Sequence, residues 1–264
     1  MIGAFDSGLG GLSVLAAIAR ELPRADLVYL ADTAHVPYGN KPDDFIRGRV
    51  LAIGRHLVEA HGCTLLVVAC NTATAAAVNE LRLQHPGIPV IGVEPGVKPA
   101  AQDSVSKRIA VLTTEATAKS ERLARLIREH AGKVAVDIIA CPGWATRVET
   151  LHLDGPEFTA EVRATVEPLL ERGADRLVLG CTHYSFIAPL LAPLVRGRAE
   201  LVDVAAAVAR QVQRLASPPP GAGTGGHLTL LATSRPERLQ AALPALGLGQ
   251  LAAHVTGAAA LARC

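Results

Sequence analysis

Leu65-Leu66-Val67-Val68-Ala69-Cys70-Asn71-Thr72 and Leu177-Val178-Leu179-Gly180-Cys181-Thr182-His183 are built to one plan. Each is a short apolar run, then a small residue, a cysteine, and a hydroxyl or amide side chain. Such a run reads as a buried strand, and strands buried on both faces belong to parallel sheets covered by helices. Each cysteine then stands at the carboxyl end of its strand, where ligands gather in open α/β sheets. About one small domain's length of chain separates them. The pattern therefore predicts two similar halves with one cysteine in each.

The surrounding chain keeps the same rhythm. Ile2–Phe5, Leu27–Ala31, Leu65–Ala69 and Val90–Val93 are strand-like, and Gly11–Leu22 and Asp43–His61 carry apolar residues at helical spacing. Ile109–Thr113, Val136–Ile139 and Leu177–Leu179 continue the alternation. Strands alternating with helices predict parallel βαβ units with right-handed crossovers. Two prolines and a glycine in Glu94-Pro95-Gly96-Val97-Lys98-Pro99 mark a domain crossing, and a second follows Leu201–Val204. The Pro/Gly-rich stretch Ser217–Gly226 reads as a surface loop, and Leu228–Ala232 as a strand returning to the first sheet. The predicted fold class is α/β, with two similar domains, each a mostly parallel sheet flanked by helices. Residues 1–95 with 208–264 form a discontinuous first domain, and residues 96–207 the second.

Half of the 264 residues are hydrophobic, but only 3% are aromatic. The core must then consist of Ala, Val, Leu and Ile, which suits helices packed on a buried sheet. A net charge of +2 argues against a nucleic-acid or membrane partner. The absence of a long apolar run argues against a membrane span, and the N-terminus lacks the pattern of a signal peptide. The expected location is cytoplasmic. Five cysteines, an odd number at irregular spacing, read as reduced thiols. Cys63 and Cys264 are given no chemical role, and Cys141 is read as structural.

A thiol carries protons well because its reference pKa of about 8.5 lies close to neutrality and is easily lowered. Removing a proton from one face of a carbon and returning one to the other face needs two acid/base groups on facing walls. Cys70 and Cys181, one per half, meet that requirement. Asp6-Ser7-Gly8-Leu9-Gly10-Gly11 follows the first strand and opens a helix, where glycines and free N–H groups admit a carboxylate or phosphate. It lacks the third glycine of a dinucleotide fingerprint. Asp6 either orients a nearby acid/base group or caps the helix. Tyr38 and Gly39 lie in a turn that either lines a cleft or faces solvent. His183, two residues after Cys181, suits tuning of that thiol or holding a carboxylate; one Cys-x-His pair offers too few ligands for a metal. Asn71, Thr72 and Thr182 supply neutral hydrogen-bonding groups beside the cysteines. On these residues alone a Cys/His hydrolase and a non-enzymatic amino-acid-binding protein remain open, although the hydrolase leaves one cysteine unused.

Asp6-Ser7-Gly8-Leu9-Gly10-Gly11, Pro37-Tyr38-Gly39, Ala69-Cys70-Asn71-Thr72-Ala73 and Gly180-Cys181-Thr182-His183-Tyr184 resemble, in order, the four signature blocks of bacterial glutamate racemases. Val90-Ile91-Gly92-Val93-Glu94-Pro95 is similar to a further block of that family, and only the last fifty residues match weakly. The resemblance implies an active site between two α/β domains and interconversion of L- and D-glutamate without a cofactor or metal. It assigns Cys70 to D-glutamate with Asp6 as helper, and Cys181 to L-glutamate with His183 as helper. Ser7, Tyr38, Gly39, Asn71, Thr72 and Thr182, with Asp6 and His183, would bind the substrate, and Glu149 aligns with an acidic residue near the cleft. It further implies a cytoplasmic homodimer supplying D-glutamate to peptidoglycan, with aspartate as the alternative substrate. Three departures stand out: Ser185 replaces a usual proline, Leu123 a common tyrosine, and Cys141–Glu149 a more uniformly apolar segment. Trp144 and Arg147 of that segment are expected beside the cleft, altering access, the domain interface or oligomer contacts.

Overall fold

Ten strands alternate with helices in the computed structural model, which describes residues 1–216 and 226–260. The strands are Ile2–Asp6 (β1), Leu27–Ala31 (β2), Leu65–Val68 (β3), Val90–Gly92 (β4), Arg108–Thr113 (β5), Ala135–Ala140 (β6), Arg176–Leu179 (β7), Glu200–Val202 (β8), Leu228–Ala232 (β9) and Val255–Ala260 (β10). The helices are Leu12–Glu21 (α1), Asp43–His61 (α2), Asn71–Gln84 (α3), Val97–Asp103 (α4), Glu115–Lys119 (α5), Glu121–His130 (α6), Trp144–Glu149 (α7), Pro156–Glu171 (α8), Ala188–Val195 (α9), Ala205–Leu215 (α10), Pro236–Ala245 (α11) and Gly249–Ala252 (α12). Two short 3-10 turns, Tyr38–Asn40 and Thr182–Phe186, interrupt the loops. Of the expected surface loop only Gly226 falls within the described residues, and Cys264 lies outside them.

All strand pairs are parallel, in the orders β10-β9-β2-β1-β3-β4 and β6-β5-β7-β8. Four neighbouring strands of the first sheet, β2-β1-β3-β4, thus repeat the order of the whole second sheet. The repeat extends to register. Phe5 pairs with Val68, and the following N–H, that of Ala69, donates to Phe5 O at 2.8 Å. Leu112 pairs with Leu179, and the Gly180 N–H donates to Leu112 O at 2.7 Å. Each cysteine comes one residue later, with nearly the same extended backbone (φ −144°, ψ 121° at Cys70; φ −143°, ψ 134° at Cys181).

Period-two alternation along the strands builds the core on both faces. Phe5, Val28, Leu30, Leu66 and Val68 pack with Ile53 and Leu57 of α2 and with Val78 and Leu81 of α3. Ile2, Ala4, Tyr29 and Val67 face the other way, onto Leu12, Leu15 and Ile18 of α1 and Val208 and Val212 of α10. That second layer continues unbroken into the face of the other sheet, through Leu112, Leu177, Leu179, Phe158 and Val162. Each such buried side chain contributes about 1.5–3 kcal/mol, so the shared layer holds the two halves together. Ile109, Val111 and Val178 close the remaining face against Val97 and Leu123.

One expectation needs correction, and one strand was not anticipated. Trp144 is 1% exposed inside the shared layer, so it meets neither incoming substrate nor a second subunit. A tenth strand, Val255–Ala260, lies at the outer edge beside β9. Its Thr-Gly-Ala-Ala-Ala composition has weak strand propensity, and pairing with β9 overrides it.

The two cysteine strands are not interchangeable. A methyl group at Gly180 would sit 2.8 Å from the Leu112 carbonyl oxygen, which the sheet holds in place. Gly180→Ala is expected to cost about 1–3 kcal/mol as an overpacked substitution, read as a lower urea midpoint at unchanged m-value. An unaltered midpoint would show the fit to be looser than described.

Candidate active site

The chain order reverses between β1 and β3 in one sheet and between β5 and β7 in the other. Crevices at the carboxyl ends of the strands open at such points. β1 delivers Asp6 and Ser7 there, and β3 delivers Cys70; β5 delivers Thr113 and Thr114, and β7 delivers Cys181. Cys70 caps α3, its Sγ accepting from the Ala73 N–H at 3.5 Å. Burial pushes the Cys70 thiol well up, and the negative charge of Asp6 pushes it further. Only the bond from Ala73 works the other way among its larger influences.

Asp6 is fully buried. Its Oδ1 accepts from the Ser7 N–H at 2.6 Å and the Ser7 hydroxyl at 3.3 Å, and its Oδ2 from the Gly11 N–H at 2.5 Å. The fourth donor is Thr182 Oγ1 of the other half, at 3.4 Å. Asp6 therefore holds the glycine turn and stands beside Cys70, although α1 itself has no side-chain cap. Tyr29, from β2, holds the same turn by donating its hydroxyl to Gly8 O at 2.6 Å.

His183 stands between two partners. Its Nδ1 lies 3.6 Å from Cys181 Sγ, and its Nε2 lies 2.6 Å from Glu149 Oε1. Burial alone would lower the imidazole pKa, but bonding and charge from Cys181 and then from Glu149 outweigh it and hold the ring well above its usual value. The same Glu149 oxygen accepts from the Leu9 N–H at 2.6 Å, across the interface between the halves. Glu149, only aligned near the cleft by resemblance, is thus the direct partner of His183. The glycines before and after Leu9 make the approach possible. A Cβ at Gly8 would collide with the Glu149 carboxylate, and one at Gly10 with the His183 imidazole.

The remaining residues divide into a hydroxyl cluster and a buried ionic support. Thr72 Oγ1 lies 3.2 Å from Thr114 Oγ1 and 3.3 Å from Thr117 Oγ1, and Gly39 packs on Thr114. A cavity of about 550 Å³ opens here, lined by Gly39, Thr72, Glu115 and Lys119 among others. Asn71 is buried, and neither its Nδ2 nor its Oδ1 has a partner among the described residues. Tyr38 is also buried, but its hydroxyl donates to Asp32 Oδ2 at 2.6 Å, so its hydrogen-bonding group serves the protein. Asp32 further accepts from Arg49 Nε at 2.8 Å and Thr233 at 2.8 Å, and meets His35 at 3.0 Å. Burial opposes its charge, but the bonds from Arg49, Tyr38 and His35 hold the carboxyl below the usual range. This group anchors the turn that carries Gly39.

Thr114, Thr117 and the Asp32–Arg49 pair escaped the sequence reading. Thr114 was within reach: it follows β5 as Ser7 follows β1, so extending the repeat from the cysteine strands to their neighbours leads to it. No comparable signal marked Asp32. Among the described residues no group of three or more His, Cys, Asp or Glu side chains could hold a metal ion, and no helix is long and apolar enough to cross a membrane.

Comparison with known proteins places the chain in a family. The profile of the Asp/Glu/Hydantoin racemases matches residues 7–212. The chain belongs to that family. Among its racemase relatives, the glutamate racemase of Pseudomonas aeruginosa is 45% identical over 247 residues, 93% of each chain. That of Methylococcus capsulatus is 49% identical over 213 residues, 81% of this chain and 78% of the other. The crystal structure of Escherichia coli glutamate racemase in complex with L-glutamate and the activator UDP-MurNAc-Ala superposes with a TM-score of 0.84 at 30% identity, covering 98% of both chains. The racemase relatives therefore share the whole two-sheet architecture.

Displacing Glu149 or His183 by one methyl group is expected to cost activity more than stability. Gly8→Ala and Gly10→Ala should each lower racemase kcat/KM about 100-fold, the usual consequence of an ångström's misplacement. Far-UV circular dichroism should stay that of the parent. Full activity in both variants would mean that the loop yields without disturbing the pair.

Proposed function

We propose that this chain is a glutamate racemase that moves the α-proton between two thiols, without a cofactor. One observation carries the reading: Cys70 and Cys181 occupy the same backbone position in two repeats, each beside its own ionisable partner. In the L-to-D direction, Cys181 as thiolate takes the α-proton and Cys70 as thiol returns one to the opposite face; D-glutamate reverses the roles. The imidazolium of His183, backed by Glu149, stabilises the Cys181 thiolate. The Asp6 carboxylate beside Cys70 favours its protonated form, which suits the donor, and strengthens it as a base once ionised. The unpartnered amide of Asn71 and the free N–H groups at the start of α3 supply donors for a substrate carboxylate. Ser7, Tyr38, Gly39, Thr72 and Thr182 complete the binding wall in this reading.

Glutamate is favoured over aspartate because the relatives covering most of the chain are named glutamate racemases. The same reading makes the enzyme a cytoplasmic homodimer that supplies D-glutamate for peptidoglycan.

Mirror-image substrates have an equilibrium constant of one, so any variant must lose kcat/KM equally in both directions. Cys70→Ser and Cys181→Ser are each expected to lower it about 10²–10⁴-fold or more. In heavy water without added cofactor, the parent should place deuterium at the α-carbon of glutamate as optical rotation decays, and do so poorly with aspartate. Near-full racemisation by either serine variant would sink the two-thiol reading.

The raised pKa of His183 sets a pH dependence. The folded state binds its proton more tightly than the unfolded chain does, near pKa 6.5. The stability this adds is complete below that value and is lost as pH rises through the folded pKa. The imidazolium disappears at the same point, so kcat/KM should have a high-pH limb. Glu149→Gln removes the charge that supports the imidazolium and should move that limb to lower pH. A limb that does not move would dissociate it from His183.

A further inference from the structure

The segment that departs from the family contains a residue with no part in the reading above. α7 is six residues long, follows Gly143 with its φ of 83°, and has no side-chain cap at its N-terminus. A helix of that length has no stability of its own, so its position is set by what it packs against. Two of its side chains make the contacts that matter here. At its first residue, the buried Trp144 ring sits 5.3 Å from the Tyr184 ring and 6.0 Å from the Phe158 ring, edge-on to both. At its last residue, Glu149 Oε1 lies 2.6 Å from His183 Nε2. The helix therefore grips consecutive residues of one 3-10 turn, Tyr184 with its start and His183 with its end.

Both sides of this grip are anchored. The indole Nε1 donates to Glu161 Oε1 of α8 at 2.9 Å, and the Arg147 guanidinium lies 5.5 Å above the Phe158 ring. Tyr184 donates its hydroxyl to Cys141 O at 3.1 Å and to Thr113 O at 3.2 Å, tying the turn to the ends of β6 and β5. The short helix spans about 7.5 Å from Trp144 to Glu149 at 1.5 Å per residue. Sliding or tilting the indole would carry the carboxylate off the imidazole.

We propose that Trp144 is a positioning residue for the Cys181–His183 acid/base couple, its seat between Phe158 and Tyr184 fixing α7 so that Glu149 meets His183. This rests on the racemase reading of His183. Trp144 touches no reacting atom and acts only through Glu149. An alternative role as plain core filling makes different predictions in three measurements.

Trp144→Leu is expected to lower kcat/KM about tenfold to 100-fold, to shift the high-pH limb in the direction given by Glu149→Gln, and to abolish the downfield proton resonance of the short His183–Glu149 bond. Trp144→Phe, which keeps an aromatic edge in the seat, should retain the limb and the resonance. In a Glu149→Gln background, Trp144→Leu should cost no further activity, because its path of action is already cut. Should Trp144→Leu not fold, Phe158→Leu, which leaves the indole but opens its seat, carries the same expectation in milder form. A lowered melting temperature with pH profile and resonance unchanged overturns the proposal, as does an equal loss of activity in both backgrounds. If Glu149→Gln alone leaves kcat/KM and its pH profile intact, the reading of His183 falls and the proposal with it.

Discussion

One oxygen of Glu149 faces two donors at 2.6 Å, the Leu9 N–H from the first half and His183 Nε2 from its own. Most of the site is arranged around that contact. Bonds from charged groups are about twice as strong as neutral ones, and this one is largely removed from water. It requires backbone within contact distance of a carboxylate and an imidazole, which explains Gly8 and Gly10 on either side of Leu9. It also requires a short helix held rigidly in place. Aromatic packing at the far end of α7 supplies that rigidity.

The two halves repeat one frame and fill it differently. Strand order, register and cysteine backbone agree between them, yet the small residue before the cysteine is Ala69 in one and Gly180 in the other. Cys70 has an acidic neighbour and Cys181 a basic one. The proposed two-thiol transfer needs an acid/base group at each face of one carbon. It also needs one of them protonated while the other is not. The repeated frame and the unlike neighbours are the two features on which that proposal rests. The halves are also braced to each other beside the two cysteines, since Asp6 of one accepts from Thr182 of the other.

The ionic group around Asp32 does quieter work. A carboxylate buried with Arg49, Tyr38, His35 and Thr233 costs desolvation that only a full set of partners offsets. What it secures is a turn, and with it the position of Gly39 against Thr114. Removing one partner from such a group is far more damaging than the net worth of the whole would suggest.

The alternation of apolar runs with helical spacing, the two matched cysteine strands and the glycine turn after β1 were all readable in the sequence, because each is a local pattern of a few residues. α2 spans the same residues that its periodicity indicates, Asp43–His61. The edge strand Val255–Ala260 was not readable, since its residues carry little strand preference and only β9 makes them one. The partnership of Glu149 with His183, the burial of Trp144 and the Asp32 group were likewise beyond it. Each joins residues far apart in the chain, and side chains at such separations meet only where packing of the two halves puts them. Cys70 and Cys181 as a pair, and the two-half α/β frame that carries them, came from sequence alone. Family resemblance already pointed to Asp6 and His183 as the groups beside the thiols; what holds each of them still was decided by the tertiary structure, because hydrogen bonds of 2.6 Å depend on how the whole chain packs and not on spacing along it.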